Sequence, residues 1–122
     1  MRLVKEAVDL YLIEERDDLY YQTNESKPYS GWVKVMYDSG QVQGLSRLKD
    51  GKSDGPSTMW HENGQKQDES TWKDDEPDGP WTAWHENGQK QVEGTWKDGE
   101  EVFAKYWNSK GEEVETAEEA RK

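Results

Sequence analysis

The octapeptide Trp60-His61-Glu62-Asn63-Gly64-Gln65-Lys66-Gln67 returns unchanged at Trp84-His85-Glu86-Asn87-Gly88-Gln89-Lys90-Gln91, 24 residues later. Sliding the chain by that period also aligns Gly31 with Gly55 and Gly79, Met36 with Trp60 and Trp84, Gly40 with Gly64 and Gly88, and Leu48 with Trp72 and Trp96. Lys-Asp recurs in the same register at Lys49-Asp50, Lys73-Asp74 and Lys97-Asp98. A fixed period of this length marks an array, in which one unit cannot bury its apolar side chains alone and must lean on its neighbours.

Each unit carries the grammar of a β-hairpin. Asn-Gly between two runs with aromatic or β-branched residues is a strong hairpin signal, because Gly takes a positive φ at little cost and Asn tolerates the turn. A two-residue turn at Asn87-Gly88 would pair Trp84 with Gln91 and scatter the apolar residues. A three-residue loop, Glu86-Asn87-Gly88, instead pairs Trp84 with Lys90 and predicts that Trp84, Val92 and Trp96 share one face. Asp-Gly and Pro turns then join successive hairpins, and the recurring glycines Gly31, Gly40, Gly55, Gly64, Gly79, Gly88, Gly99 and Gly111 read as turn glycines.

The expectation is an all-β fold: a single-layer, twisted, elongated antiparallel meander of about five hairpins. Residues 1–9 form a lead-in with a helical turn through Leu3, Glu6 and Ala7, and residues 10–28 a divergent first hairpin with strands at Leu10–Ile13 and Leu19–Gln22. Residues 29–99 hold three regular repeats, residues 100–115 a degenerate capping repeat, and residues 116–122 a short helix or frayed tail. Straight alternation places Met36, Leu48, Trp60, Trp72, Trp84, Val92, Trp96 and Trp107 on one packed ladder. It leaves Met59, Trp81, Ala83 and a mostly polar set on the opposite, wet face.

Composition narrows function. The net charge of −11, from 27 acidic and 16 basic residues, repels nucleic-acid phosphates and anionic lipid and favours a basic protein partner, or serves solubility alone. Cysteine is absent, so there is neither a disulfide framework nor a thiolate site. Glu6, Asp9, Glu14 and Glu15 interrupt the N-terminal apolar residues, so neither signal peptide nor membrane helix is expected. The cytoplasm is the expected compartment; an envelope or secreted location would follow from a signal already removed.

Catalytic groups do not assemble from this pattern. His61 and His85 are repeat equivalents two strands apart, about 10 Å at about 4.8 Å per strand, which is hard for one zinc ion to bridge. No Ser/His/Asp order emerges, and no turn glycine precedes a helix that could cradle phosphate. The chain reads as a non-enzyme without cofactor or metal. The acidic turn of Asp74, Asp75, Glu76 and Asp78 is a solvated turn before it is a Ca²⁺ site or a contact for a basic partner, and Glu100 and Glu101 one repeat on would join it in such a contact. The Trp residues, Trp60 and Trp84 among them, pack hairpins together, offer a groove to an extended protein segment, or stack glycans or bases, and the charge disfavours nucleic acid.

A Gly, five residues to an aromatic, Asn-Gly, then a second aromatic and Lys-Asp-Gly resembles the MORN-repeat variant family, and within it bacterial YwqK-type antitoxins of toxin–antitoxin pairs. The likeness runs over roughly residues 10 to 115. It is carried by Lys27-Pro28-Tyr29-Ser30-Gly31, Tyr37-Asp38-Ser39-Gly40-Gln41, Asp54-Gly55 to Gly64, and Asp78-Gly79 to Lys97-Asp98-Gly99. It implies an elongated meander and a protein-binding role, in its sharpest form occlusion of a basic toxin such as a nuclease or deaminase. A structural scaffold or envelope-associated role is the other expectation that goes with such repeats. The chain departs from the pattern at Asp75, where a turn Gly is usual, at Leu48 and Met36 in aromatic slots, and in the broken fourth repeat.

Overall fold

The computed structural model describes residues 7–122, so most of the lead-in, including Leu3 and Glu6, lies outside the described residues. One sheet of nine strands organises the chain. Its members in spatial order are β1 (Val8–Asp9), β4 (Gly31–Met36), β5 (Val42–Lys49), β6 (Lys52–Trp60), β7 (Lys66–Lys73), β8 (Glu76–Trp84), β9 (Lys90–Lys97), β10 (Glu100–Trp107) and β11 (Glu113–Val114). From β4 onward every strand pairs antiparallel with the next in sequence, giving the expected meander; only β1 joins in parallel, Val8 opposite Val33. Eight inter-strand steps of about 4.8 Å make the strip about 38 Å wide.

The divergent first hairpin is not the first rung of this meander. Residues Leu10–Leu12 form a 3-10 turn where a strand was expected. After it β2 (Ile13–Arg16) and β3 (Leu19–Gln22) make a separate two-stranded sheet. Leu10, Ile13 and Tyr20 face Val33, Val35, Leu48 and Met59 across a cavity of about 250 Å³, so this hairpin folds over one face of the large sheet. At the far end α1 (Ala117–Ala120) lies against β9, β10 and β11 with Ala120 fully buried. Thr116 caps it, its hydroxyl accepting from the Glu119 amide.

Two kinds of turn alternate along the strip. The loops Glu62-Asn63-Gly64 and Glu86-Asn87-Gly88 have three residues, closed by His61 and His85 amides donating to Gln65 and Gln89 carbonyls, and pair Trp60 with Lys66 and Trp84 with Lys90 as expected. The opposite edge uses two-residue turns with positive φ at both positions: Asp50-Gly51, Asp74-Asp75 and Asp98-Gly99. Asp75 holds φ +69 without being Gly, and its carboxylate accepts from the Ser53 amide at 2.7 Å, which offsets the strain.

The face assignment made by straight alternation is wrong, and the reason is one residue. Ala83 pairs with Val92 but Trp84 pairs with Lys90, so Gln91 is an extra residue in the return strand. Gln67 and Gln43 do the same in the two preceding hairpins. Such a bulge turns the side chains beyond it to the other side. The expected ladder therefore splits. Leu48, Trp72, Val92 and Trp96 line a first face, together with Met59, Trp81 and Ala83; Met36, Trp60, Trp84 and Trp107 line the second. The Lys66–Glu69 ion pair at 2.6 Å confirms the flip, since residues three apart share a strand face only across a bulge.

Neighbouring repeats are stapled at both edges. Tyr37 Oη donates to the Trp60 carbonyl, His61 Nε2 to Trp84 and His85 Nε2 to Trp107, at 2.6, 3.0 and 3.0 Å. Asn63 and Asn87 each hold their own loop through Oδ1 and donate Nδ2 to the carbonyl of Glu86 and Ser109 in the next loop. On the other edge the amides of Gly51, Asp75 and Gly99 donate to the carbonyls of Tyr29, Ser53 and Pro77.

Close approach at one glycine fixes the last repeat. A Cβ on Gly94 would stand 2.5 Å from the Phe103 carbonyl oxygen, whereas on Gly44 its nearest neighbours would be at 3.8 and 3.9 Å. Gly94→Ala should lower unfolding stability by about 1–3 kcal/mol as β10 is pushed from β9. Gly44→Ala should be neutral or stabilise by about 0.5 kcal/mol, because the strand backbone loses entropy of its unfolded state. Urea midpoints of the two variants check this, and equal losses would contradict the packing described.

Candidate partner-binding surface

Between the N-terminal hairpin at one end and α1 at the other, β6, β7 and β8 carry the central part of the first face. Met59, Asp68, Ser70, Trp72, Trp81 and Ala83 share it. Trp81 and Trp96 meet edge to face with ring centroids 6.2 Å apart, and Trp72 Nε1 donates to Ser70 Oγ at 3.0 Å. Within this apolar floor stands one carboxylate. Asp68 Oδ2 accepts from Trp81 Nε1 at 3.0 Å.

Position 68 is where the flanking repeats place Gly44 and Val92, both buried. Burial pushes the Asp68 carboxyl above its ordinary range; the Trp81 hydrogen bond works against that rise, and the neighbouring Glu69 charge adds to it. A half-buried carboxylate beside indole rings offers a cation both an ion pair and aromatic faces. Neither Asp68 nor Trp81 stood among the expected site residues, because alternation through Gln91 put Trp81 on the wet face. The one available signal was the column Gly44, Asp68, Val92, an acid in an otherwise apolar register.

The expected site residues separate into three groups. Trp60 and Trp84 lie half-buried on the second face, near the Asn-Gly loops. Lys66 lines the shallow depression above Trp84, and Lys90 sits over the Trp107 ring at 5.8 Å while hydrogen-bonding Glu93, whose carboxyl it holds below the usual range. Lysines thus flank Trp84 and Trp107 on this face. Asp74, Asp75, Glu76 and Glu100 lie on the two-residue-turn edge, exposed, and the Gly99 amide donates to Pro77 so that adjacent turns abut. Lysines interleave them, Lys73 opposite Glu76 and Lys97 opposite Glu100, and Asp75 is engaged by Ser53. Asp78 is half-buried in β8, and Glu101 lies opposite Trp96.

His61 and His85 act as staples. A carbonyl oxygen can only accept, so Nε2 of each ring carries the proton that bonds Trp84 and Trp107. Among the described residues no group of three or more His, Asp or Glu side chains is placed to share a metal ion. No helix of the described chain is long and apolar enough to cross a membrane.

The geometry is that of a repeat module built from stapled hairpins, and sequence comparison agrees. Residues 53–74 and 77–98 match the family model described as MORN repeat variant, which makes the two central hairpins MORN-type repeats. No curated protein and no solved structure matches the chain.

The Asp68 reading has a pH signature. A raised folded-state value means that the protonated form favours the fold. That stability is fully present below the unfolded value near 3.8 and is lost as pH rises through the higher folded one. Asp68→Asn keeps a carbonyl oxygen for Trp81 and removes the charge. It should raise the melting temperature at pH 7 by about 2–6 °C, a gain that vanishes below about pH 4. Scanning calorimetry of both proteins across pH 3–8 measures it.

Proposed function

We propose that this chain is a non-catalytic protein-binding module whose partner is basic. One observation carries the reading: Asp68, a carboxylate set into an aromatic floor, stands on the first face between the end covered by the N-terminal hairpin and the strands β9–β11 that α1 packs against. A side chain that costs stability where Val or Gly would pack is the signature of a position shaped by binding. The net charge of −11 adds long-range attraction for a positive partner. In its finer form the module is an antitoxin or immunity-type protein, which covers the positive substrate groove of a nuclease-like or deaminase-like toxin and neutralises it by occlusion.

The scaffold reading draws on a different observation, the hydrogen-bond staples along both edges, which suit a stiff spacer. Charge separates the two. Capture experiments from native lysate with the wild type, with Asp68→Asn, and with Asp74, Glu76 and Glu100 together reversed to Lys decide between them. The protein-binding reading expects a basic protein at low salt, weakened at about 0.5 M salt, and reduced about tenfold or more by Asp68→Asn. Glu69→Gln, on the second face, should leave capture unchanged. Capture indifferent to salt and to every one of these charge changes would sink the reading and favour the scaffold.

A further inference from the structure

We propose that the outer edge of β10, over Glu101–Lys105, receives an extended segment of a protein partner shaped like this array's own return strands, basic at both ends with apolar and aromatic residues between. The inference rests on the protein-binding reading, but uses a surface separate from Asp68.

The array is short by most of one strand. β6 is flanked on its far side by β7 and β8 by β9, each return strand eight residues long. β10 is flanked by β11, which has two residues and pairs only with Tyr106 and Trp107. The chain then leaves as α1, which reaches β9 and so lies over a face rather than along the edge. In an antiparallel ladder, alternate residues direct their amide and carbonyl to the same side. The Asn108 amide donates to the Glu112 carbonyl, so Tyr106, two residues back, directs its groups toward β11 and Ala104 turns its amide and carbonyl to the same, open side. Among the described residues no turn or loop backbone group bonds it there.

The side chains at this edge are unusual for the molecule. Val102 is 65% exposed and Phe103 48%, in a protein whose interior repeats fill these places with Asp78-Gly79-Pro80. An open edge with apolar side chains is a template for strand addition, where backbone bonds give affinity and alternate side chains give selectivity. Charge chooses the occupant. Glu100, Glu101, Glu112, Glu113, Glu115, Glu118 and Glu119 flank the edge, against Lys105, Lys110, Arg121 and Lys122 as the cations nearby, so acid prevails. A second copy, itself at −11, meets repulsion, whereas a segment with Lys or Arg at its ends is attracted. The strand that fills this place in the preceding repeat, Lys90–Lys97, has that pattern: Lys at both ends, Val92 and Trp96 within.

The test uses the full chain and a capped synthetic peptide with the sequence of Lys90–Lys97, followed by nitrogen-15 amide spectra and hydrogen exchange. Saturating peptide should shift the amides of Val102–Lys105 and slow exchange at Ala104 by about tenfold or more, the expected effect of a new ladder bond. Ala104→Pro removes the outward donor and Val102→Lys adds a like charge to the peptide's; each should weaken affinity about tenfold or more. Should Ala104→Pro fail to fold, Val102→Lys decides alone. Asp68→Asn should bind the peptide like the wild type, so failure at Asp68 and failure at this edge are distinguishable. Shifts confined to other strands, affinity untouched by the edge substitutions, or no binding at millimolar peptide would overturn the proposal. Protection of Ala104 that rises with protein concentration alone would overturn it in favour of a second copy.

Discussion

One extra residue per hairpin sets the character of this sheet. Gln43, Gln67 and Gln91 each enter the return strand just after the loop, and each reverses the side-chain alternation beyond it. The indole at the loop mouth and the indole beside the far turn consequently point to opposite faces. Without the bulge, Trp84 and Trp96 would share a face and the other would be mostly polar. With it, both faces acquire aromatic area, and the second face gains the lysine-flanked indoles while the first gains the Trp81–Trp96 pair. In the fourth hairpin Gly111 is followed by Glu112-Glu113-Val114, and the pairing runs without a break.

Such a sheet has little interior to depend on. The buried apolar side chains among the described residues are Ala7, just before β1, and Val33, Leu45, Leu48, Val92 and Ala120, scattered over four elements. Cohesion therefore comes from neighbour contacts repeated along the strip: ladder bonds, half-buried indoles, and the staples that join each turn to the one after it. Stability in this arrangement is a chain of nearest-neighbour terms rather than the property of one core. The N-terminal hairpin covers the first face at one end and α1 packs against β9–β11 at the other, which leaves the middle of the strip between them. That is where Asp68 sits.

Hairpin number, loop length and the pairing of Trp84 with Lys90 were legible because Asn-Gly fixes a local geometry that tertiary packing does not override. What was not legible followed from features without a local signature. Gln91 is as acceptable in a regular strand as in a bulge, so nothing in its chemistry announces the flip. Leu10-Tyr11-Leu12 has the composition of a strand, yet it forms a 3-10 turn because the chain must reverse from β1, parallel to β4, into a hairpin lying on the sheet. His61 looked like a surface residue in the sequence; its role depends on a carbonyl in the next repeat, a contact no single unit contains. Trp81 was missed because alternation put it on the wrong face; Asp68 was missed because only the observed register brings the Trp81 indole beside it.

The direction of the loop staples has a consequence for how such a chain changes length. Each Asn side chain reaches forward to the following loop, and each loop offers a carbonyl to the Asn behind it. In the last loop, with no loop after it, Lys110 stands where Asn63 and Asn87 do, and Asn108, at the place of His61 and His85, turns its amide to Glu112 in its own loop. A unit of this kind is a tile whose leading and trailing borders match. Duplicating or deleting one whole unit leaves no polar group without a counterpart, so the length of the strip is free to vary while its cross-section stays the same.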